Sequence, residues 1–183
     1  TQVTVDPYDE SSYTPMKVVG RVMNAEEAKE EEAKGNFVVK EGDGYRRIVA
    51  APKPVAIVEI DAIRALADAD QPVIAAGGGG IPVMEQGSHL KGASAVIEKD
   101  RAAGLLAKEL DADVLMFITG VPNVVLNYGS DHPINIDKMT TADAARYAGE
   151  GHFKTGSMLP KVESSIDFIN AGKGRRAIIT SLD

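Results

Sequence analysis

Three lysines and one aspartate stand where their charges could act together on an anion. Lys99 and Asp100 open one predicted helix, and Lys161 follows Pro160 in the first turn of another. A lysine near a helix N-terminus opposes the helix dipole, so this position is unfavourable unless an anion uses the lysine and the free backbone N–H groups together. Lys154, on the preceding loop, could reach the same anion. On the residues alone, unliganded surface lysines remain the alternative.

A run of glycines directly follows a segment predicted to be a strand, residues 72–76. Glycine permits positive φ and lets backbone N–H groups approach an oxyanion without a Cβ in the way. Ligands of α/β proteins bind at the carboxyl ends of strands, where this turn is expected. No Walker or Rossmann pattern is present, because no Gly-Lys-Ser/Thr follows and a proline stands where the helix would begin. A tight structural turn and a ligand loop therefore both remain open for Gly77, Gly78, Gly79 and Gly80.

Composition excludes several functional classes. The 183 residues carry a formal net charge of −7, which argues against broad nucleic-acid binding, since phosphates are met by a basic surface. No cysteine is present, so disulfides and thiolate metal sites are excluded. The longest apolar run, residues 114–118, is strand-sized, whereas a membrane helix needs ~20 apolar residues. We expect neither a nucleic-acid nor a membrane partner.

The elements that must position these residues alternate between helices and short strands. An extended lead-in, residues 1–14, precedes a charged helix that Asn24 caps and Gly35 ends. This helix and a following hairpin predict a small protruding subdomain, residues 15–48. The remainder, residues 49–183, indicates an α/β fold built on a largely parallel sheet flanked by helices. The predicted helices are 25–34, 60–69, 99–110, one from about residue 141, and 159–170, and the predicted strands are 36–40, 45–50, 72–76, 113–119, 124–127 and 176–180.

Five motifs occur in one order along the chain: GYRRIV then APKP at residues 44–54, AAGGGGIPV at 75–83, LKG through VIEKD at 90–100, FITGV at 117–121, and HFKTGSMLPKV at 152–162. This ordered set resembles the carbamate kinases of the amino-acid kinase superfamily. The resemblance is to the back portion of those chains, and their opening strand with its GGNA-type glycine turn and their C-terminal helix have no counterpart here. Two positions depart from the family pattern, Leu159 in place of glycine and Ala51 in place of serine.

The resemblance implies a role for each site residue. Lys99 and Lys161 would hold the transferring phosphoryl group, Asp100 would orient them, and Lys53 would reach over the substrate from beside the protruding subdomain, a lid. The glycine run would form the floor of the site for carbamate and the γ-phosphate. The nucleotide, ATP or ADP, would bring Mg²⁺ held mainly through its phosphates, with no metal site of the protein's own. Implied nucleotide contacts are Thr119, Gly120, Val121, Tyr128, Lys154 and Met158.

The implied activity is reversible phosphoryl transfer between ATP and carbamate, giving ADP and carbamoyl phosphate during arginine breakdown. The resemblance also implies a cytoplasmic homodimer. Because the front portion has no counterpart, we expect an incomplete fold and an isolated chain without kinase activity. Two alternatives stay open: a related kinase acting on acetylglutamate, glutamate or aspartate, and a non-catalytic fragment that binds nucleotide or mediates oligomerisation. A Rossmann dehydrogenase is disfavoured, because no GxGxxG motif opens a helix.

Overall fold

Helices and short strands alternate along the computed structural model, which describes residues 1–182. The helices are α1 (Ala25–Ala33), α2 (Ile60–Asp68), α3 (Lys99–Glu109), α4 (Thr141–Gly149) and α5 (Met158–Asn170). The strands are β1 (Gln2–Val5), β2 (Lys17–Met23), β3 (Phe37–Glu41), β4 (Gly44–Val49), β5 (Pro54–Ile57), β6 (Ile81–Gln86), β7 (His89–Gly92), β8 (Val114–Ile118), β9 (Val124–Leu126), β10 (Ile134–Ile136) and β11 (Arg176–Thr180). Among the described residues, no helix has the length and apolar character needed to span a membrane.

The lid contains α1 and a three-stranded antiparallel sheet in the order β2-β4-β3. The Asn24 side chain accepts hydrogen bonds from the Glu26 and Glu27 amides, and the Glu27 carboxylate accepts one from the Asn24 amide, which completes a capping box. Gly35 ends the helix at φ +84°, a conformation that glycine adopts without strain. The predicted helix and hairpin are confirmed, whereas β2 was not among the predicted strands.

We call the part of the molecule outside the lid the body. A four-stranded sheet in the order β5-β1-β6-β7 forms its first half. Its β1 lies inside the predicted lead-in, residues 1–14, for which the sequence analysis predicted extended backbone but no paired strand. Val3 is fully buried, and it packs with Ile57, Ile63 and Ile97. A strand of four residues is too short to show a clear alternating pattern, so the sequence alone did not reveal it.

The second half of the body places α3 and α5 against the parallel pair β8–β11. Phe168 of α5 is fully buried there, together with Leu115 and Phe117 of β8. Strand β8 alternates buried with exposed side chains, so its buried face meets the helices. Helix α4 and the β9–β10 pair pack on the other side of α5 around Val162. This packing fixes α3 and α5 side by side.

The α/β class is confirmed, but two details of the predicted sheet are corrected. Parallel pairing joins β1 to β6 and β8 to β11, and the other strand pairs in the described part are antiparallel, so the sheets are mixed. Residues 72–76, predicted as a strand, belong to no strand, and Ile74 is 100% exposed. Val73, Ala75 and Ala76 pack against the core of the first sheet, but no strand within residues 1–182 pairs with this segment. β-branched composition yields a strand only where a neighbouring strand supplies hydrogen bonds.

The division into residues 1–14, 15–48 and 49–183 stays a prediction, and Asp183 lies outside the described residues.

Candidate functional site

The centre of the site is an ion pair between α3 and α5. Lys161 Nζ lies 2.7 Å from Asp100 Oδ2, and only 9% and 7% of the two side chains are exposed. The Lys161 ammonium also donates to the Ser157 carbonyl at 3.4 Å and lies 5.9 Å from the centre of the Phe117 ring. The sequence placed both residues in the first turns of their helices, and the structure brings these turns together.

A small residue at the helix contact allows this approach. A Cβ on Gly104 of α3 would lie 2.8 Å from the Ser164 Cβ on α5, which is closer than real side chains pack. Glycine at this position therefore lets the two helices meet closely enough for a direct bond between Asp100 and Lys161. A glycine inside a helix usually weakens it, so close packing is the physical reason for Gly104.

Asp100 lies between two ammonium groups. Lys99 Nζ is 3.6 Å from the same Oδ2 atom that Lys161 contacts, and 57% of the Lys99 side chain is exposed. One carboxylate therefore faces two cations, which leaves one positive charge in excess. A carboxylate in this position holds the ammonium groups in place, and the excess charge is available to an anion.

A cavity of about 360 Å³ opens beside Lys161, and we call it the α5 cavity. Its volume falls within the range of small-molecule sites. Residues expected to contact a nucleotide come from three separate segments and all line this one cavity: Thr119, Gly120, Val121, Tyr128, Lys154 and Met158. The structure therefore brings these positions together with Lys161.

The α5 cavity also contains four residues outside the predicted set of nucleotide contacts and Lys161, of which the sequence had suggested only His152, for the ATP side. Val125 and Phe153 add apolar wall, and Ser157 places its carbonyl on Lys161. His152 lines the same cavity, and its Nε2 lies 3.2 Å from a Glu150 carboxylate oxygen. His152, Phe153 and Ser157 could have been found by position, since they lie within the motif at residues 152–162, whereas Val125 lies in a predicted strand and had no such signal.

The glycine run lies in a different cavity, of about 440 Å³, that we call the glycine-turn cavity. Val96 and Ile97, which lead into α3, line it with the glycines. A Cβ on Gly79 would lie 2.0 Å from the Ile97 carbonyl oxygen, and the residue has φ +136°. Only glycine fits there. The turn therefore packs on the segment that ends at Lys99, but it shares no lining residue with the α5 cavity.

Lys53 is not brought to the Lys161 site. It lines a separate recess of about 110 Å³ between α3 and α5, together with Arg101 and Lys108. Its backbone N–H donates to the Asp9 carboxylate at 3.1 Å, and hydrogen bonds from Ser11 and this amide lower the pKa of Asp9 against the opposing effect of burial. A role for the Lys53 side chain at the reacting group stays a prediction.

Histidine, aspartate and glutamate side chains form no group of three or more that could hold a metal ion, among residues 1–182.

The chain belongs to the amino acid kinase family, because the family model matches residues 17–181. All of it aligns with the carbamate kinase-like protein YqeA of Escherichia coli at 48% identity, and with carbamate kinase 2 of Enterococcus faecalis at 44% identity. In each case the chain spans 59% of the relative's length.

Solved structures give the same result. A crystal structure from Aeropyrum pernix superposes with a TM-score of 0.91 at 42% identity, over 99% of this chain and 59% of the other. Carbamate kinase from Giardia lamblia bound to AMP-PNP gives a TM-score of 0.90 at 38% identity, over 99% of this chain and 58% of the other.

Proposed function

We propose that the full-length protein is a carbamate kinase, which transfers a phosphoryl group reversibly between ATP and carbamate. The observation that carries this proposal is the Lys99–Asp100–Lys161 cluster beside the α5 cavity. The similarity to proteins named carbamate kinases extends over the whole chain, at 42–45% identity, which supports this reaction over others in the family.

In this proposal the α5 cavity receives the nucleotide. Its apolar residues, among them Val121 and Met158, suit a base, whereas Lys154 and Lys161 suit the phosphates. One of the similar solved structures holds AMP-PNP, which supports a nucleotide as ligand of this fold. Thr119 and Gly120 follow β8 directly, at the carboxyl end of a parallel strand, where α/β proteins place their ligands.

In this proposal Lys99 and Lys161, which both contact the Asp100 carboxylate, stabilise the transferring phosphoryl group. A carbamate oxygen attacks the γ-phosphorus of ATP, the bond from that phosphorus to the β–γ bridging oxygen breaks, and ADP leaves as carbamoyl phosphate forms. The transition state spreads negative charge over the three equatorial oxygens, so positioning and charge neutralisation supply most of the catalysis. Because Asp100 holds Lys161 in a buried position, that ammonium group needs little reorganisation when the charge develops.

The remaining parts of the proposal concern carbamate and the metal. The glycine turn would supply backbone N–H groups to carbamate and the γ-phosphate, with Lys53 closing over them from the base of the lid. Mg²⁺ would be held mainly through nucleotide phosphates. In the same proposal the protein acts in the cytoplasm, as a homodimer, in arginine breakdown.

The deciding experiment measures ATP formed by the full-length protein from ADP and carbamoyl phosphate. Carbamate, acetylglutamate, glutamate and aspartate are then compared as acceptors for ATP in the reverse direction. The proposal predicts ATP formation that requires carbamoyl phosphate, and carbamate as the preferred acceptor. Preference for an amino-acid acceptor would assign the protein to another kinase of the family. Nucleotide binding without any turnover would indicate a non-catalytic protein.

A further inference from the structure

One ion pair joins the lid to the start of α3. Lys17, the first residue of β2, places its Nζ 2.8 and 2.7 Å from the two carboxylate oxygens of Glu98. The residues are 81 positions apart, and 32% and 14% of their side chains are exposed. A cation that bridges both oxygens of a shielded carboxylate is held more firmly than the exposed pairs elsewhere in the lid.

Glu98 is the N-cap residue of α3, but its side chain makes no capping hydrogen bond. The carboxylate faces Lys17 instead, although acidic side chains near a helix N-terminus are normally stabilised by the backbone amides. Lys99 and Asp100 follow Glu98 directly in the chain. Any displacement of Glu98 by Lys17 is therefore passed to these two residues through one or two peptide bonds.

The chain passes between the lid and the body a second time where β4 ends, and there it contacts the residues just before Glu98. Lys17 pairs with Val49, the last residue of β4, and the next residue, Ala50, accepts a hydrogen bond from the Val96 amide at 3.0 Å. Ala50 also forms a parallel bridge with Ala95. The start of β2 and the end of β4, where the lid joins the body, therefore both contact residues 95–98. These residues come immediately before the Lys99–Asp100 pair.

We propose that Lys17 and Glu98 form a clasp through which the position of the lid sets the position of Lys99 and Asp100. Lys17 and Glu98 are positioning residues in this account, because they act through α3 and not on the substrate. The inference rests on the proposed function. It adds a physical connection through which the position of the lid changes the positions of Lys99 and Asp100.

The test compares Lys17→Met, Glu98→Gln and the double variant in the full-length protein, with Lys17→Arg as the conservative variant. Lys34→Met is the matched control, since it removes an ion pair to Glu31 that lies wholly within the lid. Two quantities are measured: hydrogen exchange at the Val96 amide, and kcat with KM for ADP in ATP formation.

We expect both single variants to raise exchange at Val96 and to lower kcat by about tenfold, with KM changed less than about twofold, because a small misplacement of catalytic groups lowers rate more than binding. The double variant should be no worse than either single one, because the two residues act as a unit. Lys17→Arg keeps the positive charge, so its hydrogen exchange at Val96 and its kcat should both stay closer to the wild-type values than those of Lys17→Met.

The clasp is overturned if Lys17→Met matches Lys34→Met in either quantity, or if the double variant shows the sum of the single effects. The exchange measurement needs no turnover. If the wild-type protein forms no ATP, the proposed function fails, and unchanged exchange at Val96 in Lys17→Met would separately overturn the clasp.

Discussion

The Lys161–Asp100 pair and the charged pairs of the lid show two different uses of ionic side chains. The former is almost wholly withdrawn from solvent, whereas 71% and 34% of the Arg21 and Glu27 side chains are exposed. Exposed pairs contribute little to stability and cost little to form. A buried pair loses the solvation of both ions, and apolar residues of similar volume often serve stability as well. Stability alone therefore does not account for Lys161 and Asp100, and the proposed binding of an anion gives the pair a second use.

The largest expected loss of stability comes from removing the charge of one partner of the buried Lys161–Asp100 pair. Asp100→Asn keeps the shape of the side chain but removes its charge, so the buried Lys161 ammonium faces a neutral amide. We expect the free energy of unfolding to fall by about 3–5 kcal/mol. The measurement is urea denaturation of the full-length protein.

Glu163→Gln is the matched control for this change. It breaks the Arg101–Glu163 pair, which also joins α3 to α5 at 2.7 Å but is partly exposed. The expected loss is below about 1 kcal/mol. Equal losses in the two variants would remove the distinction between buried and exposed pairs.

The glycine turn offers a comparison of the same kind between neighbours. Gly79→Ala brings a Cβ against the Ile97 carbonyl at φ +136°, whereas a Cβ on Gly78 meets nothing within 4 Å. We expect Gly79→Ala to lower the free energy of unfolding by at least about 2 kcal/mol, and Gly78→Ala by less than about 0.5 kcal/mol. Thermal unfolding of both variants measures this. A stable Gly79→Ala protein would show that the turn is not packed as described.

In the lid, the cap of α1 should have a moderate effect. Asn24→Ala removes the side-chain acceptor for the Glu26 and Glu27 amides, so we expect α1 to lose about 1 kcal/mol. Hydrogen exchange of the α1 amides should accelerate, whereas exchange in α5 should not. A change shared by both helices would show that the lid and the body unfold together.

The smallest effect is a pH dependence confined to the lid. Hydrogen bonds from the Arg21 guanidinium and then from the Asn24 amide lower the pKa of the Glu27 carboxyl from 4.5 to about 2. The folded carboxyl has the lower pKa, so its stabilising effect is fully present above pH 4.5 and is lost as the pH falls towards 2. A carbon-detected NMR titration measures it, and Arg21→Met should raise the pKa. A Glu27 pKa near 4.5 in the wild type would contradict the pairing.

The sequence predicted the helix positions of the proposed site residues, whereas their roles were implied by the family resemblance. Pro160 fixed the start of α5 and placed Lys161 in its first turn, and the Lys99–Asp100 pair opened α3 as expected. The distance between Asp100 and Lys161 could not be predicted, because it depends on how two helices 61 residues apart in the chain pack on each other.

Strand pairing was harder to predict than helix position. Residues 72–76 have strand-like composition but lack a partner in the described part of the chain, whereas β1 has partners on both sides but only four residues to reveal it. The β6–β7 hairpin did carry a usable signal, since Gly87 with φ +61° and Ser88 form the two-residue connection typical of such hairpins.

The most direct test of the account is the turnover of Lys161→Met in the full-length protein, measured as ATP formed from ADP and carbamoyl phosphate. Lys173→Met, on the exposed turn after α5, is the control. The account predicts that kcat falls by at least about 100-fold in Lys161→Met, as for other electrostatic stabilisers of a transition state, and stays near the wild-type value in Lys173→Met. Near-normal turnover of a folded Lys161→Met protein would contradict the central claim.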